Sequence, residues 1–434
     1  MTSKFLGYAI PSALAMFVSS LYTIIDGIFV GQGVGDSALA AVTIVMPLTI
    51  MLFGIATMFA VGGGALVSKN FGAKNDEEGI NVFRQVFKFL LIISIGISLI
   101  FSIFSDTIVE LLGATEGIKS LASNYLRYYS LFCIPNLIGI ALNSFVRNDG
   151  RPKLAMVSTI AGAVTNIILD YVFIFPLGMG IKGAAIATGL GQIVTVVIVL
   201  PHFLMKKGKL SFGNVVLNKN IIKEFTNIGL PSFLAESAFS VIVFVQNLAV
   251  VNLMGETGLS AYSIINYITT AIYMLLLGLT FGAQPLISYN FGAKESKNML
   301  KVYNVSNISA LIITGIFTVV CFIFGRGLIG IFTSDINILE IAYNGLNIIN
   351  IGFFIVGLNL TTTVYYQAVE APKYSNIMCI LRSVVFLPIS IFILVKILGV
   401  NGIWISLFAS ELLSLMTVKI IADVKVYTRT NVSI

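Results

Sequence analysis

The sequence predicts an all-α integral membrane protein. It has twelve transmembrane helices in two six-helix bundles, related by a pseudo-two-fold axis along the membrane normal. Three observations carry this prediction. Of 434 residues, 57% are hydrophobic and only 10% are charged, against roughly 25% charged in a soluble domain. Mean hydropathy is +0.98. Continuous apolar stretches, each near the ~20 residues that cross a bilayer core, recur twelve times. The chain also repeats itself, because Asn70-Phe71-Gly72-Ala73-Lys74 returns as Asn290-Phe291-Gly292-Ala293-Lys294. Such a composition excludes a soluble enzyme, a nucleic-acid binder, a disordered scaffold and a secreted disulfide protein.

The stretches run over about 6–30, 38–66, 84–105, 120–146, 154–176, 183–204, 226–252, 258–287, 301–324, 339–366, 375–395 and 401–422. They are continuously apolar rather than alternating, which selects helices over a β-barrel. The first begins after Lys4 and contains Ala13-Leu14-Ala15, the outline of a cleavable leader. It continues through Asp26 to Val30, and so reads as a retained helix. The longest connection, 205–225, follows the sixth stretch. Leu217, Ile221, Ile222 and Phe225 are spaced within it for an amphipathic helix on the membrane surface. The expected division is an N-terminal lobe 1–204, a cytoplasmic linker 205–225 and a C-terminal lobe 226–434.

Cytoplasmic loops are enriched in Lys and Arg. With the N-terminus in the cytoplasm, 21 of the 26 basic residues fall on that side. Only Lys119, Arg127, Lys182, Arg326 and Lys396 fall on the other. This split supports twelve spans in a cell (inner, cytoplasmic) membrane with both termini inside. It also accounts for the net charge of +7 without nucleic acid.

The internal repeat runs at an offset of 220 residues. Pro11-Ser12 meets Pro231-Ser232, Gly35 meets Gly255, and Pro152-Lys153 meets Pro372-Lys373. Residues 7–74 share 19 identities in 68 with residues 227–294. Six spans per half is an even number, so both halves enter the membrane with the same orientation. This is the parallel-repeat arrangement, in which two bundles enclose a cavity and rock to give alternating access.

Few residues offer chemistry. Cys133, Cys321 and Cys379 lie in apolar stretches and read as buried packing residues. A lone histidine, His202, cannot build a metal site. No Walker A, GxSxG or HExxH pattern is present, so neither an enzyme nor an ATP-driven pump is expected, and no cofactor. Fifteen of the 19 acids sit in loops or at helix ends, leaving Asp26, Asp170, Glu236 and Glu411 inside spans. A carboxylate in hydrocarbon costs about 2.5–3.5 kcal/mol on insertion scales and marks a functional position by default. Asn166 and Asp170 are four residues apart and share a helical face, which suits a cation or proton site together with Asp26. Thr188 is a further candidate ligand. Glu236 has Met16 as its first-half counterpart and is a candidate substrate or second-ion site. Glu411 is placed to pair with Lys419 or Arg382. Asp26 aligns with Gln246, and the Asp170 region with Ile389-Ser390. Coupling chemistry is therefore expected in the first half only. Protonation or Na⁺ binding there would remove an unpaired charge and let the helices repack.

The two six-helix halves, the Asn-Phe-Gly-Ala-Lys segments at 70–74 and 290–294, and Arg147-Asn148-Asp149-Gly150-Arg151-Pro152-Lys153 resemble the MATE (multidrug and toxic compound extrusion) transporters. The segment Gln367-Ala368-Val369-Glu370-Ala371-Pro372-Lys373 fits as the second-half counterpart of the last. The likeness spans the chain and is closest to the bacterial and archaeal drug-efflux branches. It implies an antiporter that expels amphipathic, often cationic compounds in exchange for H⁺ or Na⁺, and a monomer is expected. It also implies a first-lobe cation site at Asp26, Asn166, Asp170 and Thr188, with Tyr125 and Asn143 as a supporting polar network. Some members pair an acid at the position of Glu236 with an Asp in the tenth helix. No such Asp occurs here, so the resemblance favours first-lobe coupling. The alternative function is a flippase for lipids or lipid-linked oligosaccharides, whose cavity would be rich in basic residues. A third is an uncoupled channel or receptor.

Overall fold

The computed structural model describes residues 1–430. Residues 431–434 of the expected C-terminal lobe lie outside the described residues, as do the side chains of Lys425 and Arg429. The helices are α1 (Thr2–Gly33), α2 (Asp36–Gly72), α3 (Asp76–Ile103), α4 (Ser105–Leu111), α5 (Glu116–Ser130), α6 (Cys133–Asn148), α7 (Pro152–Ile174) and α8 (Gly180–Leu204). They are followed by α9 (Lys219–Gly292), α10 (Ser296–Gly330), α11 (Ile336–Ala368), α12 (Pro372–Ile380), a π-turn (Leu381–Val385), α13 (Phe386–Leu398) and α14 (Asn401–Thr430).

Ten of these segments are long and apolar enough to span a membrane, and the pair α5–α6, bent by 52°, makes an eleventh. At 1.5 Å per residue, the 74 residues of α9 would run to roughly 110 Å, far beyond a ~30 Å core. It is two spans, broken at Gly255, where φ is 63° and ψ −152°. That break supplies the twelfth span. Gly35, its counterpart between α1 and α2, has φ 109°. A residue with a β-carbon would be strained at either position. Left-handed positions repeat at the same offset, Lys74 with Lys294 and Gly150 with Glu370, and one residue short of it, Gly180 with Gly399. The repeat is therefore a property of the backbone as well as of the sequence.

The lobes meet through small residues, in matching pairs. A β-carbon on Gly72 would lie 1.9 Å from the carbonyl oxygen of Tyr289, and one on Gly292 would lie 1.9 Å from that of Lys69. The two contacts are each other's image under the repeat. Likewise Gly62 packs on Gly229, and Gly282 on Ala9. Small residues let helix backbones approach closely where lipid offers no hydrophobic drive for association. The contacts run from mid-membrane, where Gly54 meets Phe233, to the face that carries the basic loops. There Lys69 Nζ pairs with Glu370 at 2.5 Å. The lobes are thus sealed together on the basic face.

Each lobe also lends its entry residue to the other. Phe5 and Ala9 of α1 sit in the second-lobe core beside Ile272, Leu276 and Ala283. Phe225, the repeat partner of Phe5, and its neighbour Ile228 sit in the first-lobe core beside Phe59, Leu66 and Leu90. Both phenylalanines are fully buried.

No separate helix forms over 205–218. Ile221, Ile222 and Phe225 belong to the first turns of α9 instead. The preceding strip is extended because its backbone finds better partners on α3 and α6 than in a helix of its own. Arg84 Nε donates to the Ser211 carbonyl at 3.0 Å, Lys88 Nζ to that of Val215 at 2.9 Å, and the Asn218 amide to Gln85 Oε1 at 2.8 Å. Asp149 accepts from the amides of Lys209 and Leu210 at 2.9 and 3.2 Å and pairs with buried His202 at 2.7 Å. Phe212 packs on Phe87 and Phe83.

Candidate functional site

Close helix packing builds the first-lobe site. Gly162 of α7 and Gly191 of α8 face one another so tightly that a β-carbon on either would lie 2.7 Å from the other's carbonyl oxygen. This draws Thr188 to Asn166, whose Nδ2 donates to the threonine hydroxyl at 3.4 Å. One turn further along α7, Asp170 is fully buried. Asp26, in the last third of α1, lies within electrostatic reach of Asp170.

The site is rich in acceptors and poor in donors. Asp26 Oδ1, both Asp170 carboxylate oxygens and Asn166 Oδ1 are buried with no hydrogen-bond partner. Among the described residues, the ion pairs lie elsewhere and leave both acids uncompensated. Buried oxygens of this kind are costly unless a proton or cation satisfies them. What the arrangement can do chemically is bind H⁺ or a hard monovalent cation between α1 and α7.

Tyr125 joins this group: it is buried, stacks on Tyr129 at 6.0 Å, and feels the charge of both acids. Tyr22 also feels the charge of both acids and is absent from the sequence-based site, although it stands one helical turn before Asp26, a spacing that could have flagged it. Tyr129 extends the polar run by accepting from Asn136 at 2.6 Å. Asn143 is elsewhere. Its Nδ2 donates to the Ala155 carbonyl at 2.8 Å and to the hydroxyls of Ser158 and Thr159 at 3.0 Å. Those residues lie three turns from Asp170 along α7, so Asn143 braces α6 on α7 near the basic face.

The second lobe holds a different cluster. Arg382, counted with the basic-face residues from sequence, is 2% exposed inside the lobe. Glu411 takes it as its partner in preference to Lys419, with 3.5 Å between Arg382 Nη1 and Glu411 Oε1. Glu411 Oε2 also accepts from Asn359 at 2.5 Å. Glu236 is buried on α9, beside Gly54 of the first lobe and within electrostatic reach of Arg382. Arg127, by contrast, is half-exposed and pairs with Asp106.

The MatE family profile matches the chain twice, over residues 11–172 and 231–392. Both bounds differ by the 220-residue offset of the repeat. The chain belongs to the MATE transporter family. It is a multi-pass membrane transporter and not an enzyme. Among similar proteins, "Multidrug export protein MepA" of Staphylococcus saprophyticus subsp. saprophyticus is 28% identical, the match covering 93% of this chain and 89% of that protein. The protein of that name from Staphylococcus aureus (strain MSSA476) is also 28% identical, with 95% and 92% covered. A solved structure described as the outward-facing conformation of a multidrug resistance MATE family transporter superposes with a TM-score of 0.93 at 23% identity, covering 99% of this chain and 97% of that one. A transporter from Pyrococcus furiosus, described as having a binding pocket of reverse polarity, superposes at 0.91 with 22% identity, covering 98% and 96%. The structural likenesses establish the twelve-helix, two-lobe MATE fold.

Proposed function

We propose that this MATE protein is a cation-coupled antiporter. It exports amphipathic, often cationic compounds by alternating access, driven by H⁺ or Na⁺ entry through the first lobe. The single observation that carries the reading is the set of four buried, unpartnered oxygens on Asp26, Asn166 and Asp170. Their electrostatic cost disappears when one cation or proton binds, so occupancy changes the packing preferred by α1 and α7. The MepA relatives, multidrug exporters by name, support the substrate class. The basic face is the cytoplasmic one, with both termini there, in the cell membrane. The seal at Gly72 and Gly292 is then a transporter closed to the cytoplasm. In this reading residues 1–204 and 226–434 are the rocking lobes, 205–225 is the cytoplasmic connection, and the monomer is the working unit. Thr188 and Tyr125 orient the carboxylates, and Glu236 meets substrate at mid-membrane.

The test is ethidium transport in proteoliposomes with pH and Na⁺ gradients imposed separately. Export driven by one gradient and abolished in Asp26→Asn and Asp170→Asn is the expected result. Full gradient-driven export by both variants would remove the site assignment. Solute flux that ignores both gradients would favour a channel.

A further inference from the structure

Arg147 stands in the last turn of α6, toward the basic face, yet it is only 7% exposed. Its guanidinium lies over the ring of Phe281, 5.3 Å from the centroid, on the second arm of α9. Among the described residues it takes part in no ion pair and no side-chain hydrogen bond. Phe281 stands within the seal between the lobes. On the same arm, a β-carbon on Gly282 would lie 2.5 Å from the α-carbon of Ala9, and one on Gly278 would lie 2.5 Å from the Ser12 carbonyl oxygen. A positive charge is thus buried where the lobes meet, with an aromatic face as its partner.

The second half shows the same position with its partners in place. The repeat sets Gln367 against Arg147, Ser232 against Ser12 and Ile228 against Tyr8. Gln367 Nε2 donates to Ser232 Oγ at 2.8 Å and to the Ile228 carbonyl at 3.4 Å. It thereby ties α11 to the start of α9, which packs in the first-lobe core. The image of that tie is missing. Ser12 Oγ is buried without a partner, and Arg147 is turned onto Phe281 instead. Phe281 has Val61 as its own counterpart, so the second half has no ring at the matching place. A guanidinium without acceptors loses its hydration on burial, and a cation–π contact returns only part of it.

We propose that Arg147 is a positioning residue of the transport cycle: its buried guanidinium destabilises the sealed form, so that the basic face opens again. This rests on the alternating-access reading given above. The seal needs such a counterweight, because the close backbone contacts at Gly72 and Gly292 and the Lys69–Glu370 pair all favour closure. Sealing strips water from Arg147 and gives it the Phe281 ring in exchange. Parting the lobes returns the water. The first half thus carries a group that opposes closure where the second half carries one that holds helices together.

The test measures the separation of the lobes on the basic face. Glu77 and Lys297 are exposed repeat partners in opposite lobes. Spin labels on Glu77→Cys and Lys297→Cys give a short distance in the sealed form and a long one when the lobes part. The native cysteines are buried and stay in place. Distances are read by double electron–electron resonance on the purified full chain, without substrate or gradient, and Gly72→Val supplies the parted reference. Phe281→Leu removes the one partner of the guanidinium and should lower the ratio of sealed to parted molecules ~10-fold. Arg147→Gln copies the second half and should restore that ratio in the Phe281→Leu chain. With Arg147→Gln present, Phe281→Leu should change the ratio by less than about twofold, because the charge it exposed is gone. An equal effect of Phe281→Leu with and without the arginine would show a structural role only and overturn the proposal. If the glutamine variant fails to fold, Phe281→Leu alone decides, and an unchanged ratio overturns the proposal. Short distances in every variant, Gly72→Val included, would remove the alternating-access reading and the proposal with it. A long distance in Gly72→Val with no effect of either other substitution would remove the proposal alone.

Discussion

The first-lobe acid site and the second-lobe cluster around Arg382 are built on two copies of one scaffold, yet their polarity is opposite. The first presents buried oxygens without donors, on Asp26, Asn166 and Asp170. The second presents buried N–H and O–H groups without acceptors, on Gln246, Tyr273 and Arg382. The exchange is concentrated at one repeat position, where Asp26 in the first half stands against Gln246 in the second. A duplicated fold needs its packing residues in both copies, because the lobes must seal against each other. It needs its charged groups in only one, because two equal uncompensated acid sites would double the electrostatic cost of the empty state.

The largest effect that tests this difference is expected at Asp170. Asp170→Asn should reduce gradient-driven ethidium export to the level of empty liposomes. The purified variant should keep its thermal stability, because it loses a buried charge and keeps its shape. Export retained at half the normal rate or more would mean that the first lobe does not differ from the second in the way described.

Next in size is the seal. A β-carbon at Gly72 would collide with the carbonyl of Tyr289, so Gly72→Val should hold the lobes apart on the basic face and cut transport at least tenfold. The image substitution Gly292→Val should do the same within about twofold. Very unequal effects, measured as initial export rates at matched protein levels, would break the symmetry of the interface.

A smaller loss is expected where the lobes exchange entry residues. Phe225→Ala removes a fully buried ring from the first-lobe core, and about 3 kcal/mol of stability should go with it. Phe5→Ala should weaken the second lobe by a comparable amount. Thermal unfolding in detergent reads both, and no loss at either position would show that each lobe is sufficient in itself.

The smallest effect is at the Lys69–Glu370 pair, whose side chains are 32% and 26% exposed. Partly exposed pairs contribute roughly 0–1 kcal/mol. Glu370→Gln should therefore shift the melting temperature by little, and the shift should shrink further in high salt.

Much of this was legible beforehand, for identifiable reasons. The twelve spans were readable because a bilayer demands long apolar runs. The repeat was readable because Asn-Phe-Gly-Ala-Lys sits where the lobes touch and tolerates little change. Asp26, Asn166 and Asp170 were readable because acids and amides are costly in hydrocarbon. Asn143 was misplaced for the same reason in reverse: a polar residue in a span looks alike whether it serves a site or only braces a neighbouring helix. Arg382 lay within the eleventh stretch and was foreseen as a partner of Glu411, yet it was also counted with the basic face, because a charge in a span does not show which way the chain turns it. The expected surface helix at 205–225 failed because amphipathic spacing cannot show that Arg84, Lys88 and Asp149 will claim the backbone first.

The sequence by itself determined the number of crossings, the two halves and the identity of the first-lobe acids. Each follows from the cost of placing a particular residue type in lipid, which is a local quantity. Only the tertiary structure decided which polar groups are left without partners, since that depends on what the neighbouring helices present. Asp170 and Arg382 are both buried charges in the sequence. The fold gives Arg382 a carboxylate on one edge and leaves Asp170 with none, and the two lobes owe their different chemistry to that distribution of partners.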